Sequence, residues 1–492
     1  MTDLRALAAP LVILLVGAAC VTRADLPVPA APRAEEPATA TYEPPASAGA
    51  ARSIPRPEGP PRAVLVDDDG SGQRLRARPI DPSTLADIPG YEPIPFGHHF
   101  VARVSPDGRT IAAVIWPGGS TDGPMALHLI DVRSWTARAV GVPLTGHTSA
   151  IRFERSGSGL YWAQSAPGES AESLYRLDLG SGHVREITDL PRGFAVRALE
   201  TLETGVALYL SPSQIARAGD PPPEAPRIVV VDTASGQVTA AVPLSGIRSG
   251  QFQEAPADGT EQPFRLVDPG LAWDLARDRL YVADAESDRI FMVDLRSGEL
   301  RGPFVPRPRR SLMDAVWSLF GSVAEAKIAS TTQQHAAISP DGRVLYVSGL
   351  RSNFSKGADG KYHEVVTPMD LRIMDTEDMS EAARLPGATS PLWLSPDGTA
   401  LLYASNRYDS SAEGYAARVD HKLHLLRASP PYGVTTAPLA AEPWLVAFET
   451  GSAYVVVTPQ QRASLLRFDV GTGELIAARE MDRHFADVLP LR

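Results

Sequence analysis

Seven residues with groups able to bind a ligand or move a proton stand just ahead of short apolar runs: His98, His99, His147, Arg197, Asp268, His335 and Trp444. Imidazoles at three points of the chain suit either a metal site or proton transfer near neutral pH. The other reading is that each histidine hydrogen-bonds within its own structural unit. Two acidic patterns add to the list. Asp67, Asp69, Ser71 and Gly72 open like a calcium loop, but Arg78 stands where a bidentate carboxylate should close it, so a hairpin turn fits better. Asp284, Glu286 and Asp288 alternate in the same way and read as a solvated loop. No His-Glu-x-x-His pair, Gly-x-Ser-x-Gly elbow, Gly-Lys-Ser/Thr phosphate loop or dinucleotide fingerprint occurs. On these grounds no catalytic residue, metal or cofactor is assigned.

The elements that must position these residues repeat. One unit reads Leu280–Asp284, then Arg289–Asp294, then Ser297–Leu300: strand, loop, strand, tight turn, strand. Ser-Pro-Asp-Gly recurs at Ser105–Gly108, Ser339–Gly342 and Ser395–Gly398, where Asp-Gly suits a tight hairpin. An aspartate ends a strand before a turn of small residues at Asp131, Asp178, Asp232, Asp294, Asp375 and Asp469, and Leu425–Ser429 fills that place once without the aspartate. Short strands at this period predict an all-β propeller of seven four-stranded blades, with eight possible. The blades fall near residues 98–141, 147–188, 194–243, 268–303, 334–386, 388–432 and 442–482. Residues 62–97 hold one more hairpin, Ala63–Val66 with Arg74–Arg78. It either closes the ring against the last blade, caps an edge or belongs to an eighth blade. Residues 483–492 are left as a C-terminal tail. Ile338 and Leu394, on innermost strands, are expected to be buried.

The repeat resembles YVTN-type propeller repeats and the related TolB-like and WD-like propellers of bacterial surface proteins. Tyr281–Asp284, Tyr346–Gly349 and Tyr403–Asn406 carry the likeness, which extends over most of residues 98–482. It implies a fold and not an activity, because propellers host scaffolds and unrelated enzymes alike. It also implies that a histidine ahead of an inner strand hydrogen-bonds within its blade.

In such a ring the loops between blades, and those joining second to third strands, open on one face. The longest insertions fall there: Ser211–Pro226, Gly349–Thr367, Asn406–Asp420 and Arg301–Gln334. Within the last, Ser311–Ile328 predicts an amphipathic helix, with Leu312, Val316, Leu319, Phe320 and Val323 on one face and Arg307, Arg309 and Arg310 ahead of it. It suits docking on anionic lipid or a partner, or lying across the ring.

The N-terminus reads as an export signal, residues 1–19. Arg5 precedes an apolar stretch too short to span a bilayer, and Val16–Cys20 resembles a bacterial lipobox with Gly17 where leucine is common. Cys20, the single cysteine, is the expected lipidation site, and with one cysteine no intrachain disulfide can form. Residues 20–61 form a stalk: ten prolines between Leu26 and Pro61 leave too little apolar surface to fold. A net charge of −11 argues against nucleic acid as a partner. The expectation is a membrane-anchored protein of the cell envelope, periplasmic or extracellular. It would bind another envelope protein or a small ligand on its loop-rich face. The alternative is a propeller enzyme, a lactonase, hydrolase or quinone-dependent dehydrogenase, working at the channel mouth.

Overall fold

The three Ser-Pro-Asp-Gly segments close their turns by one chemistry. Each serine hydroxyl (Ser105, Ser339, Ser395) donates at 2.6 Å to the aspartate two residues on. The same oxygen accepts the backbone N–H of Thr110, Val344 or Ala400 at 2.9 Å. Gly108, Gly342 and Gly398 take φ of 72°, 68° and 69°, a region that penalises any side chain. The serine bonds, with backbone N–H groups behind them, hold Asp107, Asp341 and Asp397 below the usual carboxylate range. The second turn works through its aspartate. Asp131, Asp178, Asp232 and Asp294 each accept the backbone N–H and the hydroxyl of the serine three residues on, at 2.6–2.8 Å.

The computed structural model describes residues 59–68, 75–97, 100–115, 125–144, 148–165, 171–217, 220–221, 223–253, 265–308, 330–356, 362–388, 391–410, 416–458, 462–481 and 486–491. They form an all-β propeller, and no helix occurs among them. The seven blades read from the repeat are present: blade 1 (residues 100–144), blade 2 (148–189), blade 3 (194–243), blade 4 (270–304), blade 5 (330–388), blade 6 (393–438) and blade 7 (443–480). Seven sheets have four strands each, and blade 5 lies within a sheet of eight. The N-terminal hairpin joins the ring. Its strands Ala63–Asp68 and Leu75–Ile80, with Ile94–Gly97, make a four-stranded sheet with Ala486–Pro490. Val64 pairs with Leu489 and Val66 with Asp487. Part of the presumed C-terminal tail is therefore an innermost strand.

Each sheet is apolar on both faces, so the core is a series of layers between neighbouring blades. Val64 and Phe96 of the closing sheet pack with Ile111 of blade 1, and Leu65 and Ala63 on its other face pack with Tyr454 of blade 7. Equivalent layers join each further pair in turn, and the ring shuts. Tyrosines of the second strands are at its centre: Tyr161, Tyr209, Tyr281, Tyr346, Tyr403 and Tyr454 are all buried. Ile338 and Leu394 differ from expectation, being half-buried. They lie on the innermost strands, where sheets stand closest to the open channel and no further strand covers them.

Blades 5 and 6 outgrow the others. The middle strands of blade 5 are Val344–Lys356 and Tyr362–Asp375, and those of blade 6 are Ala400–Ser410 and Ala416–Arg427. Blade 1 manages with Thr110–Ile115 and Met125–Asp131. At ~3.3 Å per residue the blade 5 hairpin extends roughly 20 Å beyond the ring. Gly349–Thr367 and Asn406–Asp420, read as loops, are thus largely hairpin. The connection from blade 3 to blade 4 pairs with this extension. Arg265–Asp268 runs parallel to the innermost strand Ser330–Ile338, with Val267 opposite Thr332 and Asp268 opposite Gln333. The added strand occupies the inner edge of blade 5 and so reaches over the channel.

Cys20, the proline-rich stalk up to residue 58 and the helix expected at Ser311–Ile328 lie outside the described residues. Among the described residues no helix is long and apolar enough to cross a membrane.

Candidate functional site in the central channel

The innermost strands line the channel, and their sequences differ from blade to blade at one repeat position. Two residues ahead of the first turn stand Arg103 in blade 1, Arg152 in blade 2 and Glu200 in blade 3. The same place holds Ala272, Ala337, Trp393 and Ala447 in blades 4 to 7. One side of the channel is therefore charged and the other is not. Arg152 Nε donates to Glu200 Oε1 at 2.9 Å, across the boundary between blades 2 and 3. Among the described residues Arg103 has no such close carboxylate; its guanidinium donates to its neighbour's carbonyl, Ala102 O, at 2.8 Å.

Asp487 of the closing strand faces this cluster. Enclosure among protein atoms raises its pKa to about 6, and the backbone N–H of Val488 and the charge of Arg103 oppose the rise without cancelling it. The same enclosure, with Arg152 nearby, lowers Arg103 to about 10, against the pull of Asp487 and Glu200. The arrangement is a carboxyl able to take a proton near neutrality, beside two guanidiniums and a second carboxylate. It suits a polar or anionic group entering the channel.

A second group continues the arc. Arg197 lies at a bulge in the innermost strand of blade 3, and Asp268 lies just before that of blade 4. Asp268 is exposed to solvent in the channel, but the protein atoms crowded around it raise its pKa, and the charge of Arg197 works against the rise. His335 sits midway along the innermost strand of blade 5, where burial alone lowers it to about 4, so it is neutral at physiological pH. Beside it Gln334 is only 3% exposed, yet neither atom of its amide has a partner. The hydroxyl of Ser348, opposite His335 on the next strand, is buried and unpartnered as well. Leaving such groups unpaired costs about 1–3 kcal/mol each, which marks this stretch as a place to receive water or a ligand.

Of the residues singled out from sequence, Arg197, Asp268 and His335 lie on this channel arc. His98, His99 and His147 lie outside the described residues, and of Trp444 only the backbone is described, in the innermost strand of blade 7. Among the described residues no group of three or more metal-ligating side chains forms. Arg103, Arg152, Glu200 and Asp487 were missed. The signal was present: a charge inside a short apolar run, as in Val101–Val104 and Ile151–Phe153.

Asp69, Ser71 and Gly72 lie outside the described residues, while Asp67 and the second acidic pattern form ion pairs. Arg78 bridges Asp67 and Asp87, and Arg479 meets Asp87 at 2.7 Å. Asp67 thus faces arginine where a calcium loop would hold a cation. Asp284, Glu286 and Asp288 each engage a different arginine: Arg289 at 2.7 Å, Arg248 at 3.2 Å and Arg372 at 3.2 Å. Asp284 is 1% exposed, so it is not a solvated loop residue.

No family model matches the sequence, and no curated protein is significantly similar to it. Solved structures resemble it in fold. The dihydro-heme d1 dehydrogenase NirN, in complex with DHE, shares 14% identity over 88% of this chain and 77% of its own, with a TM-score of 0.49. Chaetomium thermophilum Sqt1, bound to the N-terminus of the ribosomal protein L10, shares 13% over 78% of this chain and 87% of its own, with a TM-score of 0.43. TolB from Acinetobacter baumannii shares 12% over 77% of this chain and 63% of its own, with a TM-score of 0.29.

Proposed function

We propose that this protein is a lipid-anchored propeller of the bacterial cell envelope, of the YVTN-type or TolB-like kind, that binds another envelope protein or a small ligand. The observation that supports binding is the extension of blades 5 and 6 beyond the ring, with the strand Arg265–Asp268 added to the inner edge of blade 5. Ring stability does not need these lengths, since blade 4 closes with two middle strands of five residues each, Arg279–Ala283 and Ile290–Asp294. Rigid hairpins present a surface at lower entropic cost than loops. The anchor rests on Cys20 and the proline-rich residues after it, which would tether the propeller to a membrane.

The test is capture from solubilised membranes with the anchored protein, comparing wild type with a variant whose residues 350–367 are replaced by a two-residue turn. The wild type should retain a partner that the trimmed variant loses while both melt cooperatively. Identical capture by both proteins would sink the reading. Cys20→Ala should move the protein from the membrane to the soluble fraction; a wild type that is already soluble would remove the anchor.

One observation favours the enzyme reading: Asp487, with its raised pKa beside Arg103, is the kind of group that acid–base catalysis uses. Turnover of a lactone or ester by purified protein, lost in Asp487→Asn with the fold intact, would put that reading first.

A further inference from the structure

Away from the channel, at the boundary of blades 4 and 5, three arginines on adjacent strands of one sheet surround a cavity of about 190 Å³. They are Arg351, Arg372 and Arg384, and the wall is completed by Asp288, Thr367 and Asp370, with Met369 as an apolar floor. Arg372 and Arg384 are direct cross-strand partners, and Arg351 is opposite Thr367. Like charges placed opposite each other repel unless something compensates them.

Compensation is incomplete. Arg384 is satisfied by Glu381, through two bonds of 2.8 and 2.7 Å, with Asp370 at 3.9 Å. Arg372 reaches Asp288 with one nitrogen at 3.2 Å. Its other terminal nitrogen, Nη2, has no acceptor, although the residue is only 5% exposed. Arg351 has no carboxylate partner among the described residues. A buried guanidinium nitrogen with idle N–H groups is uncommon in a fold, and such a nitrogen is a donor suited to an oxygen of a carboxylate or phosphate. Burial lowers the pKa of Arg372, and the charge of Asp288 opposes the shift.

We infer that this cavity is a binding site for the oxyanion group, carboxylate or phosphate, of a small ligand, held between Arg351 and the free Nη2 edge of Arg372. Asp370 and Asp288 limit the site to one such group, since their charges are turned to Arg384 and Arg372 and would repel a second. The site lies at the base of the projecting hairpin of blade 5, next to the ion pair by which Arg372 already meets Asp288 of blade 4.

Isothermal titration of the whole protein with orthophosphate and, separately, with succinate in a chloride buffer tests this. At least one probe should bind with a stoichiometry near one and a Kd at or below about 1 mM. Phosphate alone binding would assign a phosphate site, and succinate alone a carboxylate site. Arg351→Met should weaken the binding about tenfold or more, and Arg372→Lys, which keeps the charge but loses the fork, should do the same. Arg351 has no ion pair to lose among the described residues, so its variant keeps the test decisive if Arg372→Lys fails to fold. Absence of binding to either probe, or binding unchanged in Arg351→Met, overturns the site.

Discussion

Blades 1 and 5 share a turn and little else. Ser105 and Ser339 make the same two hydrogen bonds at the same distances, and Gly108 and Gly342 take nearly the same φ. Two residues earlier, blade 1 puts Arg103 into the channel where blade 5 has Ala337. In the middle strands the relation reverses: blade 5 is long, and blade 1 is short. The half of the ring made by the closing sheet and blades 1 to 3 thus spends its variation on charge in the channel. The half containing blades 5 and 6 spends it on reach beyond the ring. A repeat protein diversifies where the repeat's own chemistry does not constrain it, and here two such places have been used on opposite sides.

If the two halves depend on a shared framework, damage to the framework should outweigh damage to either specialisation. Leu65→Ala opens a void between the closing sheet and blade 7 and should cost about 2–5 kcal/mol by denaturant melts. A cost below 1 kcal/mol would mean the closing sheet is an accessory.

Next in size is the channel, where two groups titrate in opposite senses. The folded pKa of Asp487 is raised from 3.8 to about 6, so its contribution to stability is present below 3.8 and lost as pH rises through 6. His335 is lowered from 6.5 to about 4, so its contribution is present above 6.5 and lost as pH falls through 4. Asp487→Asn should therefore stabilise the protein at pH 7, by on the order of 2 kcal/mol, and steepen its loss of stability on acidification. His335→Gln should have the opposite effect on the acid slope. Melting curves between pH 4 and 7 give both, and parallel curves for variants and wild type would refute the enclosure of these groups.

A smaller effect tests the shared turn. Ser105→Ala and Ser339→Ala each remove the hydroxyl that joins two strands and should cost about 1 kcal/mol, equally within error. Unequal costs would show that the blades differ in their turns as well. Smallest of all should be trimming residues 350–367, which removes reach and leaves the ring's melting temperature within a few degrees.

The framework was legible because its chemistry is local. Ser-Pro-Asp-Gly and the strand-ending aspartates make bonds within five residues, so a short window of sequence carries them whole. Tyr281, Tyr346 and Tyr403 mark second strands for the same reason. The channel was legible only in part. Arg197, Asp268 and His335 stand out by their place ahead of or along inner strands, but the pairing of Arg152 with Glu200 and the approach of Arg103 to Asp487 join residues far apart in sequence. The extension of Gly349–Thr367 looked like a loop because its three glycines, serines and lysines are poor strand formers. Cross-strand pairing from Leu350–Pro368 to Lys356–Tyr362 overrides that preference.

The sheet that joins Ala63–Asp68 to Ala486–Pro490 also sets a clock. Its first strand leaves the ribosome more than four hundred residues before the strand that completes it. At ~5–20 residues per second the wait is on the order of tens of seconds. For that time the hairpin has one naked edge and two greasy faces, the features by which nascent chains find the wrong partner. Closure is also the contact of greatest sequence separation, so it is expected to be the slow, final event in folding. A holding chaperone for this protein would have its main task at residues 63–80, and would be dismissed by the arrival of the last strand.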